Sequence, residues 1–327
     1  MRCVKMSKPK FTLKELLIIQ IAREIKDGDI VIIGQGLPIM AGCLAKKTHA
    51  PNAILATEAG MFDYIPHIAP LHIADPTCTR GYTYSTDLFD QFTVLCYRGY
   101  VDVAVLGAAQ IDKYGNINST VIGSYLNMEK KDIRLPGAGG APDFAAYAKK
   151  VIITLLGGEF VEKLDYFTSP GYLTGGTSRD DTGAFQPGTG PSMIITTQAI
   201  FKFDTQTKEL YLDAIYPGVK VEEVKAKVPW DLKIAENLRE IPLPTEEEIE
   251  FLRNFSPQGT ASNQVNMEIL AAAVKAFTEG GREFKRKKLL LEQKAIQKES
   301  AKQPQVEPPL EAQAEPQVEK EPDKEPQ

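Results

Sequence analysis

No apolar run in this 327-residue chain approaches the roughly 20 residues that cross a bilayer, because Gly, Pro or a charged side chain interrupts each one. A membrane partner is therefore not expected. Positive charge is not in excess either. The 38 Lys and Arg against 43 Asp and Glu leave a formal net charge of −5, without the basic footprint that nucleic-acid binding needs. Cysteine and histidine are scarce, at four and three residues. Cys3, Cys43, Cys78 and Cys96 form no CxxC pair and share no metal spacing with His49, His67 or His72, so no metal site is expected. Cys43 and Cys96 lie in apolar contexts and read as buried packing residues, while His67 and His72 flank a loop-like segment, "IAPL". The stretch before Lys14 has basic residues but no uninterrupted apolar core, so no secretory signal is expected and the cytoplasm is the expected compartment.

What the chain does have is alternation. Thr12 and Glu15 form a capping box ahead of "LLIIQIAREI", the turn Asp27-Gly28-Asp29 stops that helix, and "IVIIG" reads as a buried strand. Gly34-Gln35-Gly36 makes the next turn, Pro38 suits the first turn of a second helix, and "AILAT" follows as a strand with Glu58 at its end. Such a β-α-β unit implies a parallel pair, and parallel sheets place ligand sites at the carboxyl ends of their strands.

The pattern continues with a helix over "STDLFDQFTVLCYRGY", a strand over "VDVAVLG" and a polar turn at Asp112 to Asn116. A glycine-rich loop, "LPGAGGAPDF", then passes into a helix capped near Asp143, followed by the strand "VIITLL". "SMIITTQAIFKFD" and "ELYLDAIYPG" read as later strands joined through the turn at Asp204 to Thr207. The fold class is α/β, with an open, mostly parallel sheet and flanking helices over 12–256 after an N-terminal tail of 1–11. A helical extension over 257–298 and a Pro/Glu/Lys-rich tail over 299–327, too poor in apolar residues to order itself by burial, complete the expected organisation.

Three features carry possible chemistry. Gly34-x-Gly36 sits where a phosphate loop would, but it lacks the third glycine of GxGxxG; it is a weak cofactor-binding candidate and speaks against a dinucleotide-dependent dehydrogenase. In the second loop, Gly137, Gly139 and Gly140 permit conformations that turn successive N–H groups toward an anion or a developing oxyanion; a plain tight turn explains them equally well. Glu58 is either an ion-pair partner at a strand end or, beside such a loop, a carboxylate able to attack an acyl carbon without a separate base.

Taken in order, "GQGLPIMAGCLAKKTHAPNAILATEAG", "VDVAVLGAAQIDKYGNIN", "LPGAGGAPDF", "GTGPSMIITTQAIFKFD" and "YPGVKVEEVKAKVPWDL" resemble the β-subunit of family I coenzyme A transferases, closest to the glutaconate CoA-transferase type. The resemblance implies a partner α-subunit of related fold, a coenzyme A thioester and a small carboxylic acid as substrates, and no permanently bound cofactor. It implies that Glu58 is the nucleophile, that the amides of Gly139, Gly140 and Ala141 stabilise the tetrahedral intermediate, and that Gln110 lies near the site, where a buried structural amide explains it equally well. One departure stands out: the family's "E-S-G" or "E-N-G" segment is Glu58-Ala59-Gly60 in this chain, which leaves a thioester or ring-opening hydrolase, and a non-catalytic ligand-binding subunit, as the competing readings.

Overall fold

Two of the described helices open on side chains that serve twice. In the computed structural model, which describes residues 11–34, 36–70 and 72–256, helix α1 (Leu13–Arg23) opens on the capping box of Thr12 and Glu15. Residues 1–10 and the extension and tail expected over 257–327 lie outside the described residues. Strand β1 (Ile30–Ile33), helix α2 (Leu37–Lys47, with Pro38 in its first turn) and strand β2 (Ile54–Ala56) complete the first β-α-β unit, and β1 and β2 pair in parallel as the sequence implies. The chain then reverses into two short antiparallel strands, β3 (Met61–Phe62) and β4 (Tyr84–Ser85).

The helix expected after β4 begins as one α turn, α3 (Leu88–Asp90), capped by Asp87, and continues as a π-helix over Gln91–Cys96. Strand β5 (Val103–Gly107) follows, then four two-residue strands, β6 (Gln110–Ile111), β7 (Ile117–Asn118), β8 (Val121–Ile122) and β9 (Ile133–Arg134). The glycine loop leads into α4 (Ala141–Tyr147), whose cap is Gly140 and not Asp143. Asp143 lies in the first turn, where a carboxylate suits the N-terminal end of a helix without capping it.

Next come β10 (Lys150–Leu155), β11 (Glu159–Phe160) and the short α5 (Ser178–Asp181). The segment read as one strand from Ser192 is two, β12 (Pro191–Thr196) and β13 (Ala199–Phe203), because Thr196 Oγ1 accepts the Gln198 and Ala199 amides and folds the chain into a hairpin. Strands β14 (Leu210–Ile215) and β15 (Lys233–Glu240), with α6 (Val221–Lys225) between them, precede the last described helix, α7 (Glu246–Phe255).

Ten strands make one sheet in the order β15-β14-β13-β12-β10-β5-β1-β2-β3-β4. The centre, from β12 to β2, is parallel, with antiparallel neighbours on either side. Alternate residues feed two cores. Val31, Ile33, Val103 and Val105 pack toward α1, α2 and α7, whereas Ile32, Ala104 and Leu106 pack toward α4. Burial on both faces explains why these strands read as unbroken apolar runs. Helices α1 and α7 are tied by two reciprocal pairs: Arg253 Nε donates to Glu15 at 2.8 Å, and Arg23 Nη2 donates to Glu248 at 2.7 Å. Both glutamates are also the third residues of capping boxes.

From β1 the chain winds one way to β2 and, through β5, the other way to β10 and β12. The boundary between β1 and β5 is thus a topological switch point, the place where loops diverge and leave a crevice at the carboxyl edge.

Candidate active site

Glu58 does not end a strand; it stands past Ala56, the last residue of β2, at the tip of the β2–β3 hairpin. The Thr57 amide donates to Met61 O at 3.0 Å and the Gly60 amide to Thr57 O at 3.0 Å, so Glu58 and Ala59 form the apex of a tight turn. Gly60 is required there. Its φ is +91° and a Cβ would overlap the Thr86 carbonyl, while Thr86 N donates back to Gly60 O at 2.9 Å. The Glu58 side chain is half-buried and makes no ion pair or hydrogen bond among the described residues. Its carboxylate is left available.

The glycine loop arrives opposite. A Cβ placed on Gly139, whose φ is +51°, would stand 3.7 and 3.9 Å from the two Glu58 oxygens. Two residues far apart in the sequence therefore share one small space. The amides of Ala138, Gly139 and Gly140 have no protein acceptor among the described residues. That of Ala141 does: it donates to Ala138 O at 3.1 Å, closing a turn. Ala141 is thus removed from the expected set of free donors, and Ala138 joins it.

The loop is held at both ends. Gly137 N donates to Ser119 O and Ser119 Oγ donates to Gly137 O, each at 3.0 Å. At the far end of α4, the buried Arg179 donates to Ala145 O at 2.8 Å and Ala146 O at 3.0 Å, where a cation complements the helix dipole. Burial pulls this guanidinium down to about 10, still charged at neutral pH.

Two cavities meet at Glu58 and Gly140. One, of about 420 Å³, occupies the switch point and is walled by Gly34, Pro38, Leu106, Ala108, Ala109 and Phe144 among others. The other, about 680 Å³ and more open, is walled by Phe89, Phe92, Tyr97, Asp87 and Asp143. Among the described residues no Lys, Arg or His lines either.

The remaining expected site residues fare unevenly. Gly34 lines the first cavity, but Gly36 does not; it takes φ +86° to open α2. Gln110 is 3% exposed and saturated: its Nε2 donates to Glu159 and Asp165, and its Oε1 accepts from Asn118 and the Asp165 amide. It ties β6 to β7, to β11 and to the loop after β11, and its neighbour Ala109 faces the cavity instead. Cys43 and Cys96 are buried as expected, and burial pushes the Cys96 thiol up to about 12. Among the described residues no three His, Cys, Asp or Glu are grouped to hold a metal ion, and no helix is long and apolar enough to cross a membrane. Ser119, Ala138, Phe92 and Tyr97 went unread in the sequence, since the contacts that bring them to the site are tertiary.

The profile of the Coenzyme A transferase family matches residues 14–227. The chain belongs to that family. It is 37% identical over 255 residues to the B-type subunit of the 3-oxoadipate CoA-transferase of Pseudomonas knackmussii, covering 77% of this chain and 96% of the relative. It is 34% identical over 264 residues to the B-type subunit of the glutaconate CoA-transferase of Acidaminococcus fermentans, covering 79% and 97%. The crystal structure of glutaconate CoA-transferase from A. fermentans superposes with a TM-score of 0.68 at 32% identity, covering 80% of this chain and 100% of that one. This CoA-transferase chain thus corresponds to the B-type, or β, subunit. The decarboxylase AibA/AibB shares the fold, with a TM-score of 0.64 at 22% identity; the architecture alone does not decide the reaction.

Proposed function

We propose that this chain is the β-subunit of a two-subunit CoA-transferase that moves coenzyme A from an acyl-CoA to a carboxylic acid, with Glu58 as nucleophile. The observation that carries the reading is the unpaired Glu58 carboxylate beside the unpartnered amides of Gly139 and Gly140. A Glu58 oxygen attacks the thioester carbonyl, and the negative charge that develops on the carbonyl oxygen is met by the loop amides. The C–S bond breaks, CoA leaves as thiolate and an acyl-glutamyl anhydride remains. The thiolate then attacks the Glu58 carbonyl carbon, the donor acid departs as carboxylate, and Glu58 carries CoA as a thioester.

An incoming carboxylate attacks that thioester, expelling the thiolate and forming a second anhydride. The thiolate finally attacks the new acyl carbon, giving the product acyl-CoA and restoring Glu58. Both enzyme-bound species react with water, so the site must be closed during turnover. On this chain alone the larger cavity is open, and a partner α-subunit covering it completes the enclosure. Among the described residues no cation on these walls can meet a distant carboxylate of a dicarboxylic acyl group, so that counter-charge is also the partner's to supply.

Ala59, which places a methyl group beside the nucleophile, is the observation that sustains the alternative of a thioester hydrolase. One experiment separates them. The complex co-expressed with its α-subunit is incubated with acyl-CoA, treated with borohydride and digested for peptide mass spectrometry. Reduction of Glu58 is expected, with the donor acyl-CoA turned over only when an acceptor acid is present and the total thioester conserved. Continued cleavage without acceptor and without a mark on Glu58 would replace the transferase reading with the hydrolase.

A further inference from the structure

The π-helical turn over Gln91–Cys96 grips the glycine loop from the side. Phe92 lies against Gly140, where an added Cβ would overlap its ring, and it stacks on Phe144 with ring centroids 5.0 Å apart at 20°. Tyr97, five residues on, donates its hydroxyl to Asp143 Oδ1 at 2.7 Å, and its ring lies 4.7 Å from that of Tyr147. Cys96 Sγ donates to the Asp143 carbonyl at 3.6 Å. The rare helix type has a reason in this geometry. Residues five apart on an α-helix point about 140° away from one another, which would turn Tyr97 from α4 whenever Phe92 faced it. The Tyr97 amide instead bonds to Phe92 O at 2.8 Å, and the wider turn brings both side chains onto the loop and helix that form the oxyanion site.

We infer that Tyr97 is a positioning residue of this active site: through Asp143 it holds the first turn of α4, and with it the direction in which the Gly139 and Gly140 amides point. The inference rests on the oxyanion role proposed above for those amides. Tyr97 touches no reacting atom in this account. The hydrogen bond to Asp143 also pushes the Tyr97 hydroxyl up to about 12, which keeps it a donor at neutral pH.

The test uses the assembled two-subunit complex and steady-state CoA transfer. Tyr97→Phe keeps the ring against Tyr147 and removes only the hydroxyl. Its kcat is expected to fall roughly tenfold, less than the loss of an oxyanion donor itself, with KM for acyl-CoA within about twofold and the melting temperature unchanged. Asp143→Ala should match it, the double variant should be no slower than either single one, and Asp143→Asn, which keeps an acceptor oxygen, should recover most of the rate. Wild-type kcat in Tyr97→Phe, or losses that multiply in the double variant, overturns the inference alone. A wild-type complex that transfers no CoA overturns the Glu58 reading and this inference with it, which is a distinguishable result.

Discussion

Glu58 and Gly139 face each other across one narrow gap: a Cβ on Gly139 would stand in van der Waals contact with Glu58 Oε2, at 3.7 Å. The carboxylate stands on a β-hairpin and the glycine on the loop before α4, so their meeting depends on the sheet order and not on sequence proximity. This spacing makes the strongest demands on experiment.

Replacing Glu58 by Gln removes the attacking charge while keeping the shape of the turn. CoA transfer by the complex should drop by three orders of magnitude or more, about 4 kcal/mol in barrier. The melting temperature should be unaltered, because the side chain has no partner to lose among the described residues. Retained transfer in Glu58→Gln would sink the nucleophile assignment.

Gly139→Ala should damage catalysis more than folding. The positive φ of +51° costs an alanine about 1–2 kcal/mol, and its methyl group would enter the space between carboxylate and amides. Denaturant unfolding should show the small stability loss, and steady-state kinetics a kcat reduction of about a hundredfold.

Arg179→Ala tests the anchor of α4. The guanidinium is 2% exposed and serves Gly171 O, Ala145 O, Ala146 O and Thr189 Oγ1. Leaving buried carbonyls unpaired costs about 1–3 kcal/mol each, so urea unfolding should report a loss of at least roughly 3 kcal/mol. A change below half of that would show that water replaces most of the arginine's hydrogen bonds.

Acid should loosen the α1–α7 pair. Burial pushes the Glu15 carboxyl up, but hydrogen bonds from Arg253 and Thr12 outweigh it and hold the group below its ordinary 4.5. In the same way, Arg23 and Thr245 outweigh burial at Glu248, also held below 4.5. For groups whose folded values are depressed, the stabilisation is present above 4.5 and disappears as pH falls through the lower folded values. Thermal unfolding followed between pH 6 and 3, an interval of about three units around the carboxylate range, should therefore show a steeper decline for wild type than for Glu15→Gln/Glu248→Gln, whose curve is flatter and starts lower.

Much of the fold was legible because it is written in local terms. The capping box at Thr12, Pro38 at the start of α2 and the apolar strands before and after them act over short stretches of chain, and the structure has each of them. Where the reading slipped, tertiary contacts had intervened. Asp143 looks like a cap, but Gly140 takes that place while Asp143 turns to Tyr97. The apolar periodicity of "DLFDQFTVLC" suggests a plain α-helix, yet the segment widens into a π turn beside Gly140 and Phe144.

The sequence by itself determined the first helix, the first β-α-β unit and its parallel pairing, since propensity, capping and hydrophobic pattern depend on near neighbours; the nucleophile role of Glu58 is implied by the family resemblance and is a proposal. Only the tertiary structure decided that Glu58 has no counter-ion among the described residues, that Ala138 and not Ala141 keeps a free amide, and that Gln110 belongs to a buried network. Those outcomes follow from which groups the sheet order brings within hydrogen-bond reach, a distance of about 3 Å between residues that are dozens of positions apart along the chain.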